Sequence, residues 1–276
     1  MKFKIVADSS ADTLSLSRVP FESVPLRIIT DEKEYVDNQD LNVSEMLADM
    51  KKYKGRSHTS CPNSEDYIAA FGDAENVFCI TITSGLSGSF NAAMNAKRAY
   101  LEEHPDRKVH LIDSLSTGPE LGLIIEKLEE LILLHDDFDR IVTEIEKYRS
   151  RGRLIFALES LHNLAANGRV KPIVAKISGI LGIRVVGRAS DVGTLEITNK
   201  SRGLQNAVSD IVKNMISEGY NGGPVRINHA ENPSAAKLIA EKLKSKFPIA
   251  DIKIALTRGL CSFYAEAGGV LVGFLV

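Results

Sequence analysis

At 276 residues the chain is long for one core and comfortable for two domains. It carries 34 Lys and Arg against 36 Asp and Glu, a formal charge of −2, so it lacks the dense basic face of a non-specific nucleic-acid binder. Cys61, Cys79 and Cys261 are too few and too scattered for a disulfide framework or a zinc site, and they suit a reducing cytoplasm.

The opening MKFKIVADSS has only a handful of apolar residues before Asp8 and does not read as a signal peptide. The run AGGVLVGFLV near the other end is far shorter than the ~20 residues of a membrane helix. Both point to a soluble, cytoplasmic protein with no integral membrane insertion.

Phe3–Ala7 (FKIVA) reads as a strand closing on Asp8, Ser9 and Ser10, which can satisfy backbone donors. Val24–Thr30 (VPLRIIT) reads as a second strand. Asn42–Tyr53 reads as a helix with Ser44 as N-cap and Leu47 and Met50 on one face. Thr59 and Ser60 fall in a turn before a helix that begins near Pro62, with Asn63 or Ser64 as its cap. Val77–Thr83 and Lys108–Ser114 are further strands, each followed by a long helical pattern.

Apolar runs alternating with helices predict a parallel sheet covered on both faces. Ligands of such sheets sit beyond the carboxyl ends of the strands. The loops Asp8–Ser10, Ser84–Ser89 and Asp113–Thr117 all occupy that place and should converge.

The helical pattern Asp137–Arg151 closes a first domain, residues 1–152. The second, residues 153–276, has a different texture. Arg153–Ser160 reads as a strand, and LHNLAANGRVKP as a short helix, a turn and a further start at Pro172. Ile183–Ser201 reads as an antiparallel hairpin turning at Asp191–Gly193. Pro224–Ala230, Asp251–Thr257 and Gly269–Val276 are three more strands, separated by helices at Ser201–Ser217 and Pro233–Lys246. The expected class is α/β in two domains: an N-terminal parallel-sheet domain, a C-terminal domain with a mixed or antiparallel sheet, and a ligand between them.

SGLSGSFNAA, Ser84 to Ala93, joins a strand to a helix through small hydroxyl and glycine residues. A phosphate-binding P-loop would need a Lys after its last glycine, but Ser89 and Phe90 follow Gly88. A dinucleotide fingerprint would need G-x-G-x-x-G, which Gly85 and Gly88 do not supply. A nucleophile elbow would need a glycine where Ser89 stands, and a histidine oriented by a carboxylate. His162 and His229 have no local signature for that role, and His104, His110 and His135 read as solvated helix or strand ends. An anion site remains, built from the unpaired amides of a helix start and the hydroxyls of Ser87 and Ser89. The plainer reading is a tight turn with Ser87 as a cap. It accounts for one or two residues but not for three converging polar loops.

KIVADSSAD, HTSCPNSEDYIAAF, ITSGLSGSFNAAMNA, LIDS, LHNLAANGRV and NKSRGLQNAV, in that order, resemble the successive motifs of the DegV family of fatty-acid-binding proteins over nearly the whole chain. The resemblance implies a two-domain α/β protein that encloses one long-chain fatty acid, such as palmitate or oleate, between its domains. It implies a carboxylate held by Thr59 and Ser87, with Arg169 in the same polar network. Ser60, Ser84 and Gly88, beside those two, complete the candidate site. No cofactor and no metal are expected. The implied partner is a separate fatty acid kinase that makes acyl-phosphate, so no residue of this chain need be nucleophile or base. The alternative is a serine-dependent lipid hydrolase or acyltransferase using Ser87, with Arg169 or backbone amides as oxyanion site. Two departures stand out. The family's histidine before its last glycine-rich turn aligns with about Ala265, flanked by Tyr264 and Glu266, and Cys61 stands where a glutamine precedes proline. A lipid sensor without a kinase is the reading those departures would favour.

Overall fold

The computed structural model describes residues 2–171 and 182–276. The first half contributes β1 (Phe3–Asp8), β2 (Phe21–Val24), β3 (Arg27–Thr30), β4 (Glu34–Val36), β5 (Ser57–Ser60), β6 (Asn76–Thr81) and β7 (Lys108–Asp113). The second contributes β8 (Gly152–Leu158), β9 (Ile183–Ala189), β10 (Leu195–Arg202), β11 (Val225–His229), β12 (Ile252–Leu256) and β13 (Val270–Leu275).

β2, β1, β6 and β7 form a four-stranded sheet in that order, every pairing parallel. Alternation along the strands divides their side chains between two cores. Ile5, Ala7, Phe78 and Ile80 face the helices Pro119–Leu134 and Phe138–Arg149. Val6, Val77 and Cys79 face the helices Ser64–Phe71 and Ser89–Glu103. A sheet buried on both faces requires such continuous apolar runs, which is why these strands are legible in the sequence.

The predicted strand Val24–Thr30 divides. Val24 ends β2 in the parallel sheet, whereas Arg27–Thr30 is the centre of a separate antiparallel sheet ordered β4-β3-β5. Pro25 has no N–H to continue a ladder, and the next amide, Leu26 N, goes instead to Ser9 Oγ at 3.0 Å. Thr59 and Ser60 are not in a turn but close β5, paired with Ile28 and Arg27. The helix Val43–Lys52 is capped by Asn42 rather than Ser44, the Asn42 side chain accepting from Glu45 N. Asn63 caps Ser64–Phe71 in a reciprocal box with Asp66.

The second sheet runs β10-β9-β8-β13-β11-β12, antiparallel except for the β11–β12 pair. Ile155, Val186, Ile227 and Val272 pack under the helices Leu204–Ser217 and Pro233–Lys246. The predicted helix start at Ser201 moves to Leu204, because Ser201 and Arg202 finish β10. Leu154, Phe156, Leu158 and Leu271 point to the opposite face, toward the first half. A further helix, Gly259–Ala265, lies between β12 and β13 and is absent from the sequence-based expectation. The further element expected from Pro172 lies outside the described residues.

Candidate functional site

The three polar loops do converge. The buried Asp8 carboxylate accepts from Ser10 Oγ at 2.5 Å and from Ile82 N at 2.9 Å, tying the end of β1 to the end of β6. Thr83 N donates to Ser116 O at 2.9 Å, Ser84 N to Asp113 Oδ1 at 3.0 Å, and Gly118 N to Ser10 O at 2.7 Å. Burial pushes the Asp8 carboxyl up to about 6, against the opposing pull of the Ser10, Ile82 and Ser89 hydrogen bonds. The loop edge is therefore tied together by backbone and side-chain hydrogen bonds between its three loops.

A narrow, mostly apolar cavity with about 70 Å³ of solvent-accessible space lies between this edge and the inner face of the second sheet. Leu26, Ile82 and Leu86 line it from the first half. Leu154, Phe156, Leu158 and Leu271 line it from the second sheet, and Leu260, Cys261 and Ala265 from the helix Gly259–Ala265. Its polar lining consists of Thr59, Ser87, Thr117, Arg169 and Tyr264.

Each polar group is placed by its own local structure. Thr59 is delivered by β5, and its Oγ1 lies 2.7 Å from the Tyr264 hydroxyl. Ser87 Oγ accepts from Ser89 N at 3.2 Å, which pins the hydroxyl at the start of the helix Ser89–Glu103. Arg169 follows the short helix His162–Ala166 through Gly168, whose φ of +74° is readily adopted by glycine. From there Arg169 Nε donates to Leu86 O at 3.3 Å and Nη1 to Asn167 O at 2.5 Å. Its guanidinium sits 5.8 Å from the centroid of the Tyr264 ring, within cation–π range. Asn167 Nδ2 donates to Ser57 O, so the arginine turn is also tied to the strand that carries Thr59. Burial raises the Tyr264 hydroxyl above its ordinary range, while Thr59 and Arg169 oppose that shift. Tyr264 is thus a neutral donor at any physiological pH.

The structure brings together Thr59, Ser87 and Arg169 of the sequence-predicted set. It does not bring Ser60, Ser84 or Gly88 into the lining. Ser60 follows Thr59 in an extended strand and so points to the other face, its hydroxyl donating to Cys61 O at 3.2 Å. Ser84 is exposed, its amide taken by Asp113. Gly88 is exposed and accepts from Ala92 N as the helix begins. A Cβ on Gly88 would stand 3.2 Å from Cys61 Sγ, and one on Gly85 2.9 Å from Val192 O, so both glycines permit close approach rather than ligand contact.

The nucleophile alternative finds no triad. Ser87 Oγ is engaged with Ser89, and no histidine among the described residues is hydrogen-bonded to it. His229 Nδ1 accepts from Asn232 N, and the exposed His162 has its amide on Ser160 Oγ. Among the described residues there is no cluster of His, Cys, Asp or Glu able to hold a metal, and no helix long and apolar enough to cross a membrane.

Tyr264 is the functional candidate that the sequence reading missed, although it noted the position as a departure. The signal lay in the spacing of Leu260, Cys261, Tyr264 and Ala265, which share one face of a helix.

Known proteins resemble this chain over nearly its whole length. The model of the DegV family of uncharacterised proteins matches residues 2–275. A DegV domain-containing protein of Streptococcus pyogenes serotype M1 is 44% identical over 278 residues, covering 99% of both chains. The solved structure of a DegV family protein from Eubacterium eligens, loaded with heptadecanoic acid, is 42% identical with a TM-score of 0.97 over 99% of each chain. The Streptococcus pneumoniae fatty acid kinase (Fak) B3 protein, loaded with linoleic acid, is 41% identical with a TM-score of 0.98 over 100% of each chain.

Proposed function

The chain belongs to the DegV family, and from that premise we propose that it binds one long-chain fatty acid in the cavity between its two halves and presents the carboxylate to a partner fatty acid kinase. The observation that carries the reading is the cavity itself: mostly apolar walls that also carry Thr59, Ser87, Arg169 and Tyr264. The similar proteins of E. eligens and S. pneumoniae are loaded with heptadecanoic acid and linoleic acid.

The division of labour follows from magnitudes. Burial of each methylene is worth about 0.8 kcal/mol, so a tail of about fourteen contributes roughly 11 kcal/mol before ordering costs. Each hydrogen bond to a carboxylate adds about 1.5–3 kcal/mol. The tail therefore dominates affinity. Thr59, Ser87 and Tyr264 supply hydroxyl donors, and Arg169 supplies a positive charge, so together they fix which end of the lipid faces outward. None of these groups is paired with a base, and the role of the chain is that of a non-catalytic, cytoplasmic carrier. The phosphoryl chemistry belongs to the partner.

The test is to purify the chain from a bacterial host, extract it under denaturing conditions and identify the released lipid by mass spectrometry. The loaded chain is then offered to a fatty acid kinase with ATP, and acyl-phosphate is trapped with hydroxylamine. A stoichiometric long-chain fatty acid and kinase-dependent hydroxamate are expected. An empty cavity that takes up no added oleate would overturn the reading of the site. Binding without hydroxamate would overturn the kinase partnership.

A further inference from the structure

The helix Gly259–Ala265 has only seven residues, well short of the ~12–15 an isolated helix needs to persist. Its position is therefore set by what holds its ends. At its start, three consecutive amides of the second half are taken by carboxylates of the first. Arg258 N donates to Asp12 Oδ1 at 2.7 Å, Gly259 N to Asp37 Oδ1 at 2.8 Å, and Leu260 N to Asp37 Oδ2 at 2.8 Å. Asp37 is 0% exposed. A Cβ on Gly259 would stand 2.7 Å from its Oδ1, so the glycine is what lets the carboxylate reach the backbone. The other Asp12 oxygen accepts from Asn228 Nδ2 at 2.8 Å, a second tie across the same boundary. At the far end, Asn163 Nδ2 donates to Phe263 O at 2.7 Å, and Glu266 accepts from Ser160 Oγ at 2.8 Å. One end is thus held by the first half and the other by the second.

Between these anchors the helix carries Tyr264 to Thr59. Tyr264 lies four residues beyond Leu260, about 6 Å along the axis at 1.5 Å per residue. A helical turn is stiff on that scale. Any slip at the amides held by Asp37 therefore displaces the Tyr264 hydroxyl, which hydrogen-bonds Thr59 at 2.7 Å.

We infer that Asp37, seconded by Asp12, is a positioning residue for the carboxylate end of the cavity. It sets the register of the Gly259–Ala265 helix and, through it, the hydroxyl that Tyr264 offers to the lipid headgroup. The inference rests on the fatty-acid reading above and deepens it. It assigns headgroup selectivity partly to the buried Asp37 and the partly buried Asp12, neither of which lines the cavity.

The experiment compares oleate with oleyl alcohol, which share a chain and differ at the headgroup, by displacement of a fluorescent fatty acid from the full-length chain. Wild type should prefer oleate. Asp37→Asn keeps the volume but puts an N–H₂ where one backbone amide needs an acceptor. It should cut the preference for oleate about tenfold, the loss of one charge-assisted hydrogen bond, and leave oleyl alcohol affinity within about twofold. In a Tyr264→Phe background the same change should add nothing further to the preference. An unchanged preference in Asp37→Asn, or a parallel loss for acid and alcohol, would overturn the inference. Should Asp37→Asn not fold, Asp12→Asn carries the same expectation through Arg258 N and decides between the same two outcomes. Failure of wild type to bind either lipid would overturn the underlying reading of the cavity, a result distinct from an unaltered preference.

Discussion

The Tyr264 hydroxyl lies 2.7 Å from Thr59 Oγ1, a hydrogen bond spanning 205 positions of sequence and joining the two halves at the polar end of the cavity. The resemblance assigns the headgroup to Thr59 and aligns the family's histidine with Ala265, a residue that here lines the apolar wall. A tyrosine one position earlier supplies the hydroxyl that reaches Thr59. In this chain the group that reaches Thr59 is a neutral hydroxyl.

Removal of either partner should therefore weaken headgroup recognition without emptying the cavity. Tyr264→Phe and Thr59→Ala should each raise the dissociation constant for oleate about ten- to a hundredfold, the worth of roughly one hydrogen bond to a charged group. The double variant should fall short of the product of the two, because the residues are in contact. Displacement titrations of the four proteins check this. Multiplicative losses would show that the two hydroxyls act independently.

Ser87 is expected to bind rather than react. Its Oγ is held by Ser89 N at 3.2 Å, and no base among the described residues activates it. Ser87→Ala should weaken oleate binding about tenfold through one lost donor. The wild-type chain should take no label from a fluorophosphonate under conditions that label a serine esterase. Stoichiometric labelling that disappears in Ser87→Ala would restore the nucleophile reading.

Glu120 gives the fold a pH dependence of definite sign. Burial pushes its carboxyl from 4.5 up to about 7, against Ser116, Arg153 and Arg149, which pull it down. Between those two values the folded chain binds more protons at this site than the unfolded chain does. Its contribution is therefore fully present below about pH 4.5 and is lost as pH rises through about 7. Glu120→Gln should remove this slope and be the more stable form at pH 8, by about 1–3 kcal/mol. Thermal melts of both proteins from pH 5 to pH 8 measure it; a wild type that gains on Gln as pH rises would contradict the sign.

Much of the frame was legible because its strands are apolar on both faces. Val77–Ile80 is a continuous apolar run for that reason, and so is Leu154–Leu158, whose alternate residues go to the two faces of the second sheet. What escaped is what lacks a period. Ser57–Ser60 reads SHTS, with no apolar residue to mark a strand, so the sequence suggests a turn that offers Thr59 and Ser60 together. In the strand they face opposite ways. Pro25 hid the change of sheet inside a run that otherwise looks like one strand. The helix that carries Tyr264 spans under two turns and is held by Asp12 and Asp37 from far away in sequence, so its one local sign, the spacing of Leu260, Cys261, Tyr264 and Ala265, is short.

Cys261 should act as a ruler of chain length. Its side chain lines the cavity and is otherwise packed, with Sγ 3.4 Å from Ser10 O and 3.5 Å from Thr117 Oγ1. Burial raises the thiol well above its ordinary range, with the nearby Asp12 carboxylate adding to the shift. The group therefore behaves as a small apolar wall rather than as a nucleophile. Cys261→Leu adds volume at that wall. Overpacking of this kind costs about 1–3 kcal/mol, and part of it can be relieved by a ligand that leaves the space free. The variant should therefore copurify with shorter chains than wild type, and its affinity for oleate should fall more than its affinity for myristate. Mass spectrometry of the extracted lipids reads the first effect and competition titrations the second. An unchanged lipid profile in a folded Cys261→Leu protein would mean that the tail passes elsewhere along the walls of Leu154, Phe156 and Leu158.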